Sequence, residues 1–183
     1  MPTINGKVCV VNGRPVDKVF SNGKQVYGRN LLTGTSNELT TVTRSNWGSS
    51  PASPASGTYG AGKYYSSAYI ENTTPVGINL YVSVYVGGKF IHNLSGEAIP
   101  AGQSGAISFT FDIFDEQLFA SAFVGFVTLQ TKSYTYKYKD MMITRTPSPW
   151  TPAPEDVLKG YIAAPRNLTA TVIDLSTEKL DWE

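Results

Sequence analysis

One cysteine, Cys9, stands in 183 residues. An intramolecular disulfide and any multi-cysteine metal cluster are thereby excluded, and the thiol reads as a small apolar strand residue. Histidine is equally scarce. His92 is the only one; it lacks the partner spacing of a zinc site, and no nucleophile signature such as G-x-S-x-G accompanies it. Near the Gly87-Gly88 turn it reads as a surface residue. Charged residues are 16% of the chain with a formal net of +1, which removes the electrostatic case for nucleic acid or an anionic membrane as partner. No apolar run approaches the ~20 residues of a membrane span. No glycine-rich loop follows a strand and opens a helix, so nucleotide binding is not supported. The N-terminus, MPTINGKV, lacks the charged-then-apolar layout of a signal peptide. The chain is therefore expected to be made in a cytoplasm and, if it acts outside, to leave by another route.

What the chain does carry is aromatic and hydroxyl surface. Aromatics reach 12% and eleven residues are tyrosine, a rigid side chain with a polar tip that suits neutral polar ligands. Strand patterning dominates. In 79–86, Leu80, Val82, Val84 and Val86 fall on one face, and Tyr81, Ser83 and Tyr85 on the other. In 107–113, Ile107, Phe109, Phe111 and Ile113 alternate with Ser108, Thr110 and Asp112. Period two with one apolar side predicts strands with one face in a core and one toward solvent. Further strands are expected at 63–71, 89–92, 119–129 and 134–144, with one helical turn at 115–120. In the last strand Tyr136 and Tyr138 are out of phase with Met141 and Ile143. One inserted residue near Asp140, a β-bulge, would return both sets to the core. About seven strands after Asn30, separated by turn signals and without a convincing amphipathic helix, predict an all-β protein with a jelly-roll type β-sandwich.

Before that body, residues 1–28 hold three Asn-Gly dipeptides, at Asn5, Asn12 and Asn22, between β-prone runs at 8–11, 16–20 and 25–27. Asn-Gly suits the two-residue hairpin turn, which needs φ > 0. A small meander follows from this, one that must pack on the main domain, a neighbouring subunit or a particle. From 30 to 62 the chain is rich in Ser, Thr, Gly and Pro. Leu31 and Leu32 are expected in the core and a short strand at 39–43, while 45–62 is too poor in apolar residues to fold alone.

The stretch 123–156 closes the body: two β-forming segments, then an exit punctuated by Pro147, Pro149, Pro152 and Pro154. Here KYKDMMIT running into PWTPAPED resembles the end of carbohydrate-binding-type jelly-roll domains in tail and baseplate proteins of phages of Gram-positive, lactic-acid-type bacteria. Such domains open with RNLL, which this chain has at 29–32, and IPAGQSGA at 99–106 resembles their I-x-AGQSG link. The resemblance implies a domain at 29–156, with 1–28 as a meander or attachment segment. It implies a host cell-wall polysaccharide and other tail or baseplate proteins as partners, a homo-oligomer on the particle, and a place on the virion acting at the bacterial surface. Virion assembly followed by lysis would also supply the missing export route. Residues 157–183 read as a linker and a partial segment similar to the start of a fibronectin type III domain, P-x-NLTA … L-x-W with Trp182 as its core residue. The chain is accordingly expected to be a fragment of a longer protein, or to keep a terminal hairpin.

Sugar recognition needs flat aromatic faces against pyranose C–H surfaces, and planar or hydroxyl groups for the sugar's own hydroxyls. The candidates are Trp47 with Arg44 and Asn46 on one loop, Tyr59, Tyr64 and Tyr65, and the outward Tyr81 and Tyr85. Two readings of Trp47 stand open, a plug on the core edge or an exposed stacking platform. Half of the tyrosines, on the plainer reading, only cap the sandwich. Asp112, Asp115 and Glu116 form the one acidic cluster of interest, read as solvated turn acids, with a structural calcium ion as the one cofactor they allow. No pair of carboxylates suggests glycoside hydrolysis. The expected function is non-catalytic binding of host wall polysaccharide; the alternatives are a structural or adaptor domain of the same particle and a bacterial surface or glycosidase-associated binding module.

Overall fold

The computed structural model describes residues 8–11, 14–15, 18–21, 24–54, 59–156 and 172–174. Two hairpins open the chain. β1 (Val8–Val11) turns back into β2 (Arg14–Pro15) with Val11 opposite Arg14, and β3 (Lys18–Ser21) into β4 (Lys24–Gly28) with Ser21 opposite Lys24. Each leaves a two-residue connection, the length Asn-Gly favours. The expected turns themselves, at Asn5, Asn12 and Asn22, lie outside the described residues.

Nine strands follow: β5 (Leu32–Thr33), β6 (Thr40–Asn46), β7 (Ser50–Pro54), β8 (Gly62–Glu71), β9 (Ile78–Val86), β10 (Lys89–Ser95), β11 (Ser104–Ile113), β12 (Gln117–Phe126) and β13 (Gln130–Thr144). They form two antiparallel sheets, β10-β9-β12-β7-β5 and β11-β8-β13-β6. This is the all-β sandwich that the alternation implies. A last strand, β14 (Val172–Asp174), runs parallel to β1; the rest of the fibronectin-like piece, Trp182 included, lies outside the described residues.

The core forms where the two inner faces meet. Leu80, Val82 and Val84 of β9 are fully buried against Ile107, Phe111 and Ile113 of β11 and Phe119, Val124 and Phe126 of β12. Leu31 and Leu32 join them as expected. The bulge is present too. Lys139 pairs with Tyr69 but Met142 with Ser67, one residue more on β13 than on β8, and Asp140 takes a φ of 55°. Tyr136, Met141 and Ile143 are consequently all buried in the same core.

One expectation fails, and in a second stretch the sheet supplies structure that local sequence does not. No helical turn forms at 115–120: Gln117 already pairs with Val86, and Phe119 is buried opposite Val84. Within 45–62, Ser50–Pro54 forms a strand between β12 and β5, burying Ser50 and Ala52. Cross-strand pairing supplied by the sheet overrides weak local preference in both places.

The two ends of the body are clamped together. Asn30, fully buried, donates from Nδ2 to the carbonyls of Met141 and Thr151, while its Oδ1 accepts from the Leu32 and Ile143 amides. Arg29 pairs with Glu155, Thr151 Oγ1 donates to the Gly28 carbonyl, and the Gly34 amide donates to Asp156. RNLL and PWTPAPED are thus two halves of one closure.

Candidate functional site

β8 shows how the site arises from alternation. Tyr64, Ser66, Ala68 and Ile70 point inward and are buried, leaving Tyr65, Ser67 and Tyr69 on the outer face of the four-stranded sheet. Across the ladder, Ala106 stands beside Tyr69 and Ser108 beside Ser67 on one side, and Lys139 beside Tyr69 on the other. Small side chains at Ser67, Ala106 and Ser108 make a low floor, and the two tyrosines rise at either end of it. The exit segment adds Trp150, and Asn37 and Asp140 complete the rim of a groove of about 600 Å³.

The bulge shapes this rim. The Asp140 amide donates to the Ser36 carbonyl at 2.8 Å, tying the Asn37 loop to the bulged strand; re-aiming side chains is a usual consequence of a bulge. Lys139 Nζ sits 5.6 Å from the Tyr69 ring centroid and 3.7 Å from Asp140 Oδ2, so its charge is paired within the groove. Trp150 is half-buried with its Nε1 shut off from solvent. What it offers the groove is therefore carbon surface.

At the far end of the same sheet, the β6–β7 loop holds Trp47 at 56% exposure. Exposed to this degree, its indole does not plug the core edge. Its cleft, about 470 Å³, is lined by Thr43, Arg44, Ser45, Asn46, Ser49 and Ser133 among others. The loop backbone is firmly held. The Phe126 amide donates to the Trp47 carbonyl, and the Gly48 amide to the Ser45 carbonyl. Gly48 has φ 64°, and a Cβ there would lie 2.5 Å from the Phe126 ring, so only glycine fits without displacement. Beneath it the buried Tyr136 hydroxyl faces the Gly48 and Val124 carbonyls and Ser50 Oγ. Burial pushes its pKa up to about 12, partly opposed by the Ser50 hydrogen bond and by Arg44. Arg44 spends its guanidinium on the Ser49 and Thr43 carbonyls, while Asn46 sits at φ 55°.

The eight candidate residues do not form one site. Tyr65 lines the groove and Trp47, Arg44 and Asn46 the second cleft. Tyr64 is removed: it is fully buried, stacked on Phe111, edge-on to Phe119, and covered by Arg145 4.1 Å from its ring centroid. Adjacent strand residues face opposite ways, so Tyr64 and Tyr65 cannot share a surface. Tyr59 stacks on Phe119 with its hydroxyl buried. Tyr81 and Tyr85 lie on the outer face of the other sheet, Tyr81 stacked on Phe123 and Tyr85 edge-on to Phe90. Sequence reasoning missed Tyr69, Trp150 and Lys139. Tyr69 was legible from its period-two spacing to Tyr65; Trp150 was hidden because its position depends on the clamp. Among the described residues no group of three or more His, Cys, Asp or Glu side chains, Asp112, Asp115 and Glu116 included, is placed to hold a metal ion.

No family model matches the chain, nor does any curated protein. Among solved structures it is similar to a Clostridium thermocellum endo-1,4-β-D-xylanase 10B, CBM22-1 and GH10 modules complexed with xylohexaose (TM-score 0.42, 15% identity, 64% of this chain and 25% of that one). It is similar to the sugar-binding EclA C-terminal domain (0.34, 16%, 68% and 87%). A mutant of the family 29 carbohydrate-binding module CBM29-2 is a third (0.36, 12%, 77% and 90%). The alignment spans a quarter of the xylanase chain and most of the other two.

Proposed function

We propose that this protein is a non-catalytic carbohydrate-binding domain of a phage tail or baseplate, adhering to the wall polysaccharide of a Gram-positive host at the cell surface. The observation that carries the sugar-binding part is the groove on the four-stranded sheet. It combines Tyr65, Tyr69 and Trp150 with the hydroxyls of Ser67 and Ser108 and the side chains of Asn37 and Asp140. Flat carbon surface interleaved with short polar groups is what a pyranose, apolar on its faces and polar at its rim, requires. The tail or baseplate attribution draws on the RNLL and PWTPAPED segments. Copies arrayed on a particle would raise a modest affinity by avidity.

The test is saturable binding of the fluorescently tagged full chain to intact Gram-positive cells and purified wall polysaccharide. Binding competed by the polysaccharide and weakened about tenfold or more by Trp150→Ala or Tyr69→Ala is expected, the loss typical of a central aromatic anchor. No binding across a broad strain panel, even when the protein is clustered, would overturn the reading.

The structural or adaptor alternative has one observation in its favour. Edge strand β10 exposes Phe90 and Ile91, at 55% and 49%, and exposed apolar edges invite pairing with another chain. Light scattering at increasing concentration would reveal such association, and Phe90→Lys would abolish it.

A further inference from the structure

Resting on the sugar-binding reading, we infer that the Trp47 cleft is a second subsite on the same track, so that the ligand is a long glycan chain laid along β13. The first ground is Trp47 itself. It presents a large flat apolar face with a polar N–H, more than half of it open to solvent. The indole is carried on a loop whose backbone is fixed from both sides, by the Phe126 amide and by the Tyr136 hydroxyl beneath Gly48. With the backbone already held, docking a ligand orders only the side-chain torsions of Trp47.

The second ground is continuity. Outward positions recur every second residue on β13: Ser133, Thr135, Lys137, Lys139. Ser133 lines the Trp47 cleft and Lys139 the groove. Between them Thr135 Oγ1 bonds Thr43 Oγ1 at 2.8 Å, and Lys137 pairs with Glu71 at 3.3 Å. The path joining the two clefts is thus short hydroxyl side chains and a paired charge. At 3.3 Å per residue, Ser133 to Lys139 spans about 20 Å. A disaccharide cannot reach from one end to the other. A polymer can, and it joins both contacts through one chain, so the second adds at high effective concentration.

The experiment uses the full chain, wall polysaccharide from a strain to which it adheres, and size-graded oligosaccharides from partial hydrolysis of that polymer, with titration calorimetry as readout. Trp150→Ala is expected to weaken every length. Trp47→Ala is expected to weaken the polymer and longer oligosaccharides about tenfold and leave mono- and disaccharide affinity unchanged. Equal loss at all lengths on Trp47→Ala, or none at any length, would overturn the inference. If the wild type binds no glycan at all, the underlying reading fails and this one with it. Because Trp47 is largely exposed, its variant should unfold at the wild-type temperature, which separates a lost contact from a lost fold.

Discussion

Tyr136 joins core and surface through a single hydroxyl. Its ring meets Phe126 edge-on at 5.6 Å between centroids, and its oxygen lies under the loop that lifts Trp47 into solvent. Tyr136→Phe keeps the ring and leaves the facing carbonyls without a donor, a loss of about 1–2 kcal/mol, read by urea unfolding at neutral pH. The same residue gives an alkaline signature. Its folded pKa, about 12, lies above the unfolded value of 10.0. The folded state therefore holds its proton longer, and this contribution is constant below pH 10 and lost as pH climbs from 10 to 12. The fall should amount to about 2–3 kcal/mol. Tyr64, Tyr81 and Tyr138, also raised by burial, act in the same direction. Unfolding measured between pH 9 and 12 should lose part of its slope in Tyr136→Phe. An unchanged slope would refute the assignment.

Among the elements, β13 shows most plainly how one extra residue serves two ends. Without the bulge, the tyrosines and the Met141/Ile143 pair could not both reach the core, because a one-residue slip sends every side chain to the other face. Deleting Asp140 should therefore turn either pair outward and cost several kcal/mol of buried apolar surface. Loss of the cooperative thermal transition, followed by circular dichroism, is the expected result. Asp140→Gly keeps the count and relieves the φ of 55°, so it should fold normally and gain up to about 1 kcal/mol. The contrast separates the bulge from the carboxylate. A deletion variant as stable as the wild type would show that the register can slip freely.

For the whole molecule, the main hydrophobic cluster among the described residues is built from residues between Leu31 and Ile143, and the clamp around Asn30 closes the body with residues up to Asp156. A fragment of residues 28–156 should consequently unfold cooperatively at the temperature of the same transition in the full chain, checked by calorimetry. Asn30→Ala would strip four backbone groups of their partner, those of Leu32, Met141, Ile143 and Thr151. A loss of about 3 kcal/mol or more is expected. If the fragment melts well below the full chain, segments outside 28–156, the β1–β14 pair included, are part of the same cooperative unit.

Period-two alternation let the sequence by itself determine the sandwich, the inward sets of β9 and β11, and even the bulge, because facing is encoded in nearest-neighbour order along a strand. The same rule, applied to Tyr64 and Tyr65, was enough to part them. Only the tertiary structure decided that Tyr65 and Tyr69 face away from Tyr81 and Tyr85, that Ser50–Pro54 becomes a strand, and that Trp150 reaches the groove. Each of these depends on partners far off in the chain: β8 on β11 and β13, β7 on β12, and the exit segment on Asn30, 121 residues before Thr151. Local order carries no information about such pairings, which form only when the whole core closes.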